Sequence, residues 1–581
     1  MTLLRITPAK SKRLRVLVGP MRSSVNPASI LWHPRGHKRS VFFPKSEQPT
    51  SRKMVMHGLC IIIGKALAVG ILFLSICIFS RIVPPRYPRN IPAVPFWVTL
   101  LSLVRDIDQE DIYRRHIQKP LQTHGAIKIF FAGQWNLLIQ RSSYLNEIFR
   151  NEDVYQKSGN QKKIPHSVLA EFLGRFPVSP SVALLLTLGP KGDNVISSRG
   201  TTWRLYRDII TPGLQGHFDA GLIAANAEEL CSSLLAFQNT VGNCGVPVQD
   251  LLQQFTIANV SQVLLQANHK PTKGDESSLH QLQLAVKREI FKPIFMNFPV
   301  LDRLGKLIPC RVRARNVVEQ FSAALQYGVR HGQGTPNASN LGARLMAARD
   351  GGVLTGKQFR DNLNVLFVAG QENPQLLLIS MLYLLAKHPV SVSCPLKSME
   401  LMSQDVQSRL RREIDACSTL DPSNVAFSEL PYVTCVIYES LRLLPPISQL
   451  INRRTSQDVI LGNQIYIPKG TYVGYNCYST NRDPAVWGPT ADEFRPERWG
   501  QSNTEISQCY RQRRARAEFV SFHGGSRACL GEKFALLEAR VALFVLVSRL
   551  SWSLDPEWPD RKTPAGPLYP RALRLIFTER K

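Results

Sequence analysis

The most apolar stretch of the chain runs from Leu59 to Phe79 and reads LCIIIGKALAVGILFLSICIF. It is long enough for one bilayer-spanning helix, and its single charge, Lys65, lies near the N-terminal end, where the side chain can reach the membrane interface. A buried core helix is the alternative, but such helices usually carry a polar face, which this stretch lacks. The pattern predicts a transmembrane anchor over residues 57–81.

The segments on either side of this anchor differ in composition. Residues 1–56 contain twelve Lys and Arg residues against one acid, Glu47, and show no sustained periodicity, which is typical of a disordered extension or a targeting tail. Residues 82–96 carry prolines at positions 84, 85, 88, 92 and 95, a spacing that blocks both helix and sheet. We therefore expect a basic, disordered extension before the anchor and a stiff Pro-rich hinge after it.

From residue 97 to residue 581 the pattern mixes short strands with long helices. AIKIFFAGQWNLLI predicts two strands around Gly133, and residues 458–475 predict a β-rich segment. Helical spacing of apolar residues predicts helices over Phe359–Leu385, Asp405–Asp415 and Gly531–Leu550. The chain shows no internal repeat, no P-loop, no H-E-x-x-H and no G-x-S-x-G motif. The sequence thus predicts one large domain, 97–581, that is mostly α with small β-sheets (α+β).

Composition and charge narrow the classes of function. Apolar residues make up 44% of the 581-residue chain and charged residues 20%, as in ordinary globular proteins. The formal net charge of +29 favours an acidic partner; a membrane surface or an acidic protein is expected rather than nucleic acid, because no basic helix has base-reading spacing. The eleven cysteines include no C-x-x-C pair and are too sparse for a disulfide scaffold, which indicates a reducing compartment.

The candidate chemistry begins at FHGGSRACLG, residues 522–531. Two glycines permit a tight loop before Cys529, which precedes the last predicted helix. The amides at that helix N-terminus and the guanidinium of Arg527 are expected to favour a thiolate over a thiol. A thiolate at this position suits the axial ligand of a haem iron, where it supports O–O cleavage. An isolated cysteine is usually a small buried apolar residue, but here the whole pattern F-x-x-G-x-R-x-C-x-G is present.

These residues resemble the signature of the cytochrome P450 family of haem-thiolate monooxygenases, and further family motifs follow in the expected order. Glu439 and Arg442 are similar to the E-x-x-R pair, and residues 494–499, FRPERW, are similar to the box whose arginine completes a network with that pair. The resemblance covers residues 84–581 and implies the P450 fold with a haem b cofactor. It assigns to that cofactor the axial iron ligand Cys529, the propionate-binding residues Trp203, Arg207 and Arg453, and the loop residues Phe522 and Arg527.

The oxygen-activating motif of the family is present in a modified form. AGQENP, residues 369–374, aligns with A/G-G-x-D/E-T-T/S, so the resemblance makes Glu372 the acid and puts Asn373 in place of the usual threonine; these two are the catalytic candidates. Small Ala369 and Gly370 are expected to leave room beside the haem. Pro374 cannot donate to the carbonyl of Gly370, so we expect a kinked helix and a free carbonyl that holds a water molecule.

The resemblance implies a monooxygenase that uses O2 and electrons from NADPH-cytochrome P450 reductase to hydroxylate a small organic metabolite. The form A-G-x-E-N-x-Q resembles a fungal branch that includes spore-wall dityrosine-forming enzymes, which points to aromatic amino-acid derivatives. Two alternatives stay open: oxidative phenol coupling of tyrosine derivatives, and a haem-binding protein without turnover, because Asn373 departs from the motif. Basic residues upstream of the cysteine either attract an acidic reductase face or form a solvated loop; they are Arg511, Arg513, Arg514 and Arg516.

Location and chain continuity raise two further expectations. The resemblance implies a single-pass protein of the endoplasmic reticulum membrane with its catalytic domain in the cytosol, and a mitochondrial location is the alternative. Residues 175–192 and Val390–Gln404 fall where the family has shorter connections. Each is interpreted either as a surface insertion or as intron sequence read as protein.

The charge distribution around the anchor predicts where the protein starts. A basic N-terminal flank opposes a lumenal N-terminus, whereas a start at Met54 or Met56 leaves the positive charges of Arg81, Arg86 and Arg89 on the cytosolic side. We therefore expect residues 1–53 to be dispensable or absent from the native protein. N-terminal sequencing of the native protein checks this expectation, and a peptide from residues 22–35 would contradict it.

Overall fold

The computed structural model describes residues 50–581 except 160–162, 165–166, 175–192, 268–278, 291, 306, 333–339, 388–405, 418–424, 426, 428–429, 565 and 581. The expectations for residues 1–49, for 175–192 and for Val390–Gln404 therefore lie outside the described residues. The chain divides into two units, Met1–Leu74 and Ser75–Lys581.

The predicted anchor corresponds to helix α1, Thr50–Ile82. Its described apolar side chains are mostly exposed; Phe73 and Phe79, for example, are each 69% exposed. Exposed apolar surface of this extent is unfavourable in water and is stabilised when lipid covers it. A second helix of sufficient length and hydropathy, Gly356–Lys387, is mostly buried inside the protein and is therefore a core helix. Helix α1 is thus consistent with a membrane anchor.

The Pro-rich segment after α1 lies along strand β1, Ala126–Phe131, and is held there at several points. The backbone N–H of Val94 donates to the Lys128 carbonyl at 2.9 Å, and the N–H of Lys128 donates to the Pro92 carbonyl at 2.8 Å. The Nζ of Lys128 also donates to the carbonyl of Pro85 at 2.9 Å. The segment is extended, as the prolines dictate, but its contacts with the sheet leave it little freedom as a hinge.

The helices of the catalytic body agree with the predicted mostly-α class. After α1 they are α2 Leu101–Val104, α3 Gln109–Ile112, α4 Gln118–His124, α5 Ser142–Arg150, α6 Val168–Phe172, α7 Gly200–Gln215, α8 Ala220–Val241, α9 Gln249–Asn259, α10 Leu279–Ile290, α11 Pro293–Asn297, α12 Pro309–Arg330, α13 Leu341–Asp350, α14 Gly356–Lys387, α15 Val406–Asp415, α16 Pro431–Leu443, α17 Cys477–Thr480, α18 Pro484–Trp487, α19 Asn503–Ala515 and α20 Glu532–Arg549. The long helices predicted from apolar spacing correspond to α14, α15 and α20.

The strands form three small sheets. Their bounds are β1 Ala126–Phe131, β2 Gln134–Ile139, β3 Tyr155–Lys157, β4 Val246–Pro247, β5 Gln449–Thr455, β6 Val459–Leu461, β7 Ile465–Ile467, β8 Tyr472–Asn476, β9 Leu550–Leu554 and β10 Arg574–Glu579. The largest sheet has the order β1-β2-β8-β5-β3, in which only β2 and β8 run parallel. The others have the orders β4-β10-β9 and β6-β7. The strand pair predicted around Gly133 is the β1–β2 hairpin.

The core surrounds helix α14, which is buried from Phe359 to Ala386 over most of its residues. A helix that is apolar on nearly all sides must be enclosed by other helices, and α14 contacts α9, α16 and α20. It continues through Pro374 without interruption, so the expected kink does not break the helix. Helix α14 thus brings the modified oxygen-activating motif into the centre of the body.

The buried carboxylate of Glu439 organises the loop that carries Cys529. Arg442 donates to both oxygens of Glu439 at 2.8 Å, and Arg498 donates to Oε1 at 2.8 Å. The indole Nε1 of Trp499 and the backbone N–H of Arg495 complete its partners at 3.1 and 3.0 Å. A buried charge is tolerated only when it is paired in this way.

Arg442 extends this network to the Cys529 loop, residues 520–531. Its Nη1 donates to the carbonyl of Asn481 at 3.0 Å. The side chain of Asn481 accepts from the N–H of Val520 at 3.0 Å and donates to Ser521 Oγ at 2.8 Å. The salt-bridge network therefore positions the start of the loop through Asn481, a residue that no sequence motif singled out.

We predict that Glu439→Gln produces haem-deficient or misfolded protein, because it leaves Arg442 and Arg498 buried without a counter-charge. The expected loss is about 3–5 kcal/mol of folding free energy, the usual cost of breaking a buried ion pair. Haem content per polypeptide and thermal unfolding check this prediction. Glu497→Gln is the matched control, because its ion-pair partner Arg409 lies on the protein surface and the Tyr432 hydroxyl can still donate to the amide oxygen. Normal haem content in Glu439→Gln would contradict it.

Candidate functional site

The Cys529 loop is shaped by close contact with helix α5. A Cβ on Gly524 would stand 2.4 Å from Cδ2 of Phe149, and a Cβ on Gly525 would stand 2.4 Å from the Phe149 carbonyl oxygen. Gly525 also adopts φ +65°, which favours glycine. The loop closes through a bond from the N–H of Cys529 to the carbonyl of Phe522 at 2.9 Å. The two glycines are therefore required by steric fit as well as by backbone conformation.

Cys529 faces a cavity of about 340 Å³. Burial raises the pKa of its thiol to about 11, although the backbone N–H groups of Gly531 and Glu532 act in the opposite direction. The expectation that Arg527 favours the thiolate is not met, since its guanidinium pairs with Glu152 and donates to the Ser198 carbonyl. A coordinated metal cation would deprotonate such a thiol outright.

A group of cations surrounds one side of this cavity. Arg527 lies 3.9 Å above the ring of Trp203, and Arg207 donates to the Ser526 carbonyl at 2.6 Å. Arg453 is 2% exposed, and within the part of the chain that the structure describes its Nε has no hydrogen-bond partner, although Nη1 donates to the Tyr155 carbonyl. Lys157, at the end of β3, is also buried, and its pKa is held well below the usual value by burial and by the neighbouring arginines.

This charge distribution fits a ligand with two carboxylates. Among the described residues, the acid paired with the cation group is Glu152, which Arg527 occupies. The Nε of Arg453, which has no hydrogen-bond partner among the described residues, and the buried Lys157 are positions at which additional anions would be stabilised. The rest of the lining is largely apolar, including Phe522, Ile447 and Leu377. A flat apolar macrocycle with two propionates and an iron that accepts a thiolate matches this set of groups.

One face of helix α14 also lines the cavity. The lining residues follow helical spacing and comprise Val365, Leu366, Ala369, Gly370, Asn373, Pro374 and Leu377. Gly370 lines the cavity, and a Cβ there would also stand 3.3 Å from Cγ2 of Val260. The side chain of Asn373 donates back to the Ala369 carbonyl at 3.2 Å. Pro374 leaves the Gly370 carbonyl without its helical donor.

Glu372 lies beside this lining but is not part of it. It is 8% exposed, and its Oε1 forms an ion pair with Lys287 of helix α10 at 3.2 Å. Lys287 also lies 3.4 Å from Oε1 of Gln375, which belongs to a buried amide network on the same side of α14. The acid of the motif is therefore tied to α10, and it must change rotamer to reach the cavity.

The structure places the remaining candidates together and adds residues that sequence reasoning missed. Trp203, Arg207, Phe522 and Arg527 line the cavity with Cys529, whereas Arg453 lies just behind it. Lys157 and His523 were missed. The Nδ1 atom of His523 and the hydroxyl of Tyr475 form a hydrogen bond at 2.9 Å. Burial lowers the pKa of His523 to about 3. No motif marked Lys157, because its position depends on the pairing of β3 with β5.

Comparisons with known proteins agree with this geometry. The family described as Cytochrome P450 matches residues 169–571. The chain is 40% identical to Cytochrome P450-DIT2 of Saccharomyces cerevisiae over 87% of this chain and 97% of that protein. It is 36% identical to Cytochrome P450 monooxygenase xanG of Aspergillus fumigatus, over 92% of this chain and 95% of that protein.

The two relatives are matched over nearly their whole length, and the residues matched by the family, 169–571, include the Cys529 loop, the Glu439 network and the α14 motif. The family implies a haem-thiolate cofactor, a redox partner and a small-molecule substrate. The exposed apolar helix α1 is consistent with a membrane-anchored member of it. The chain belongs to the cytochrome P450 family and is a monooxygenase-type oxidoreductase.

Proposed function

We propose that this protein hydroxylates a small aromatic amino-acid derivative, with haem b as cofactor and Cys529 as its axial ligand. The observation that carries the proposal is one cavity that contains Cys529, the modified motif of α14 and an excess of buried cations. A haem held by the Cys529 thiolate would supply the activation of O2 for insertion of one oxygen atom into the substrate.

Residues of the chain have three further roles, which are to bind the cofactor, to exclude water and to transfer protons. Arg207, Arg453, Lys157 and the indole of Trp203 hold the propionates, and the apolar lining excludes bulk water from the site. The carbonyl of Gly370 holds a water molecule in place of the missing helical bond. Glu372 carries protons to that water from the polar network around Lys287, because the amide of Asn373 lacks a readily transferred proton.

The electron donor in this proposal is NADPH-cytochrome P450 reductase at the endoplasmic reticulum membrane. Of the four arginines considered for its acidic face, Arg513 pairs with Glu518 and Arg514 pairs with Glu532, both at 2.8 Å. Arg511 and Arg516 are exposed and keep their charge available at the surface. The attraction for the reductase is therefore assigned to these two side chains.

The substrate class rests on the similarity to DIT2 and to the branch of dityrosine-forming enzymes. Oxidative phenol coupling of tyrosine derivatives is the second candidate function, because the same similarity supports it. Product mass distinguishes the two reactions. Hydroxylation adds one oxygen atom to one substrate, whereas coupling joins two substrates with the loss of two hydrogen atoms and no added oxygen.

We predict that Cys529→Ser abolishes the long-wavelength absorption of the reduced carbon monoxide complex, because only an axial thiolate produces that band. Cys509→Ser is the matched control and should keep the band, since Cys509 lies in α19 and outside the cavity lining. The measurement is the difference spectrum between the reduced protein with carbon monoxide and the reduced protein alone. Survival of the band in Cys529→Ser would show that another residue is the ligand.

We predict that Glu372→Gln keeps the haem spectrum and lowers turnover by roughly 100- to 10,000-fold, the usual contribution of positioned proton transfer. NADPH consumption should continue and end in released hydrogen peroxide. Product formed per NADPH, measured with a substrate that shifts the Soret band, checks this prediction.

Glu289→Gln is the matched control for this variant, because Glu289 pairs with Lys292 at 2.6 Å and lies outside the cavity lining. Its turnover should stay within about threefold of the wild type, because Glu289 is buried to the same extent as Glu372 but does not belong to the α14 motif. Full product yield from Glu372→Gln would make Glu372 a purely structural acid.

A further inference from the structure

His523 lies in the wall of the cavity in a backbone conformation that is unfavourable for its side chain. Its φ is +62°, in the left-handed region that residues other than glycine seldom adopt. Of the described residues other than glycine with positive φ, His523 is the one that lines this cavity. Backbone strain of this kind is concentrated at functional sites, so the position calls for a role that an imidazole fills and a glycine does not.

The imidazole of His523 is neutral although it lies in a polar environment. Burial, followed by the positive charges of Lys157, Arg453 and Arg514, lowers the pKa of His523 to about 3. Arg514 pairs with Glu532 at 2.8 Å, whereas Lys157 and Arg453 belong to the cations around the cavity. A neutral imidazole adds one N–H donor beside these cations without adding a further positive charge.

The hydrogen bond between His523 and Tyr475 determines which ring nitrogen carries the proton. Tyr475 is 2% exposed, and within the part of the chain that the structure describes its hydroxyl has one partner, Nδ1 of His523 at 2.9 Å. If Nδ1 carried the proton and donated it, the O–H of Tyr475 would be buried without an acceptor, which is unfavourable. The hydroxyl therefore donates to Nδ1, and the proton of the neutral ring lies on Nε2.

The sheet places Tyr475 on the same face as the two cavity cations. Lys157 of β3 pairs with Arg453 of β5, and Arg453 pairs with Val473 of β8, so these three side chains share one face. Tyr475 follows Val473 by two residues on β8, which pairs regularly with β2 over this stretch, and it therefore points to that face as well. The ring of Phe149 contacts both Arg453 and Tyr475, with centroid distances of 5.7 and 5.3 Å.

We propose that His523 is a further binding residue for the haem cofactor, in which Nε2–H donates to a propionate while the hydroxyl of Tyr475 orients the ring. The proposal rests on the cofactor of the function proposed above and is independent of the substrate. A carboxylate accepts a stronger hydrogen bond than a neutral group does, because the acceptor is charged. Tyr475 acts through His523 and is a positioning residue. A glycine at position 523 would relieve the backbone strain but would supply no donor.

The test measures how fast haem leaves the full-length, haem-loaded ferric protein when excess apomyoglobin is present to capture it. His523→Phe keeps a flat ring but removes both nitrogens, so haem loss should accelerate roughly 10-fold, as for one hydrogen bond to a charged group. The midpoint potential of the iron should fall in the same variant. A propionate that has one donor fewer keeps more of its negative charge, and this charge stabilises the ferric state.

Two further variants distinguish a binding role from a structural one. His523→Gln retains an amide N–H in place of Nε2–H, and its rate of haem loss should stay within about threefold of the wild-type rate. Tyr475→Phe removes the hydroxyl that fixes the tautomer and should also accelerate haem loss. The double variant with Phe at both positions should lose haem no faster than His523→Phe alone, because the tyrosine acts through the histidine.

Tyr113→Phe is the matched control, because Tyr113 is a buried tyrosine outside the cavity lining whose hydroxyl donates to Ser479 Oγ at 2.8 Å. It should lower Tm and leave both the rate of haem loss and the midpoint potential unchanged.

An unchanged rate of haem loss in folded His523→Phe, or an equal acceleration in Tyr113→Phe, would overturn the role of His523 alone. If His523→Phe does not fold, Tyr475→Phe decides: faster haem loss supports the role, and an unchanged rate overturns it. A wild-type protein that binds no haem would overturn the proposed function together with this role.

Discussion

The buried negative charge of Glu439 is the interaction on which the candidate site depends. Its two oxygens accept hydrogen bonds from the side chains of Arg442, Arg498 and Trp499 and from one backbone N–H. The charge is therefore compensated by groups of the protein itself. Arg442 then reaches Asn481, whose side chain bonds to the start of the Cys529 loop. The loop thus takes its position from a network in the core, and the cysteine is presented on a rigid support rather than on a free turn.

On the other side of the cavity, the described residues include more buried cations than acidic side chains that pair with them. Among the described residues, the Nε of Arg453 has no hydrogen-bond partner, and the acid near the buried Lys157 is Glu152, which also pairs with Arg527. Both groups raise the free energy of the folded chain until anions reach them. Binding of a dianionic cofactor therefore stabilises the fold as well as the site, and cofactor content and folding stability are linked quantities in this protein.

The sequence allowed correct prediction of the fold class and of the features that depend on local motifs. The Cys529 loop and the Glu439–Arg442 pair were found because their residues lie at fixed spacing along the chain. The contacts that depend on distant segments were not predictable in this way. The pairing of Glu372 with Lys287 requires knowing that α10 crosses α14, and no local signal reports that crossing. The 3.3 Å approach that a Cβ on Gly370 would make to Val260 likewise depends on a distant segment of the chain.

The same limit applies to the polar residues of the β-sheet. Lys157 and Lys163 are six residues apart and look like ordinary surface lysines in the sequence. Their burial follows from the docking of this segment against β5 and β8, which involves residues about 300 positions later in the chain. Lysines are exposed in most proteins, so no sequence feature singles out these two. Their burial is what makes them informative.

The contact between the Pro-rich segment and strand β1 has a consequence for the freedom of the chain that follows helix α1. A free chain of residues 83–94 would reach up to about 40 Å. The bonds from Lys128 to Pro85 and Pro92 remove most of that slack. The backbone between the end of helix α1 at Ile82 and strand β1 therefore has little free length, so this connection is a fixed part of the body rather than a flexible linker.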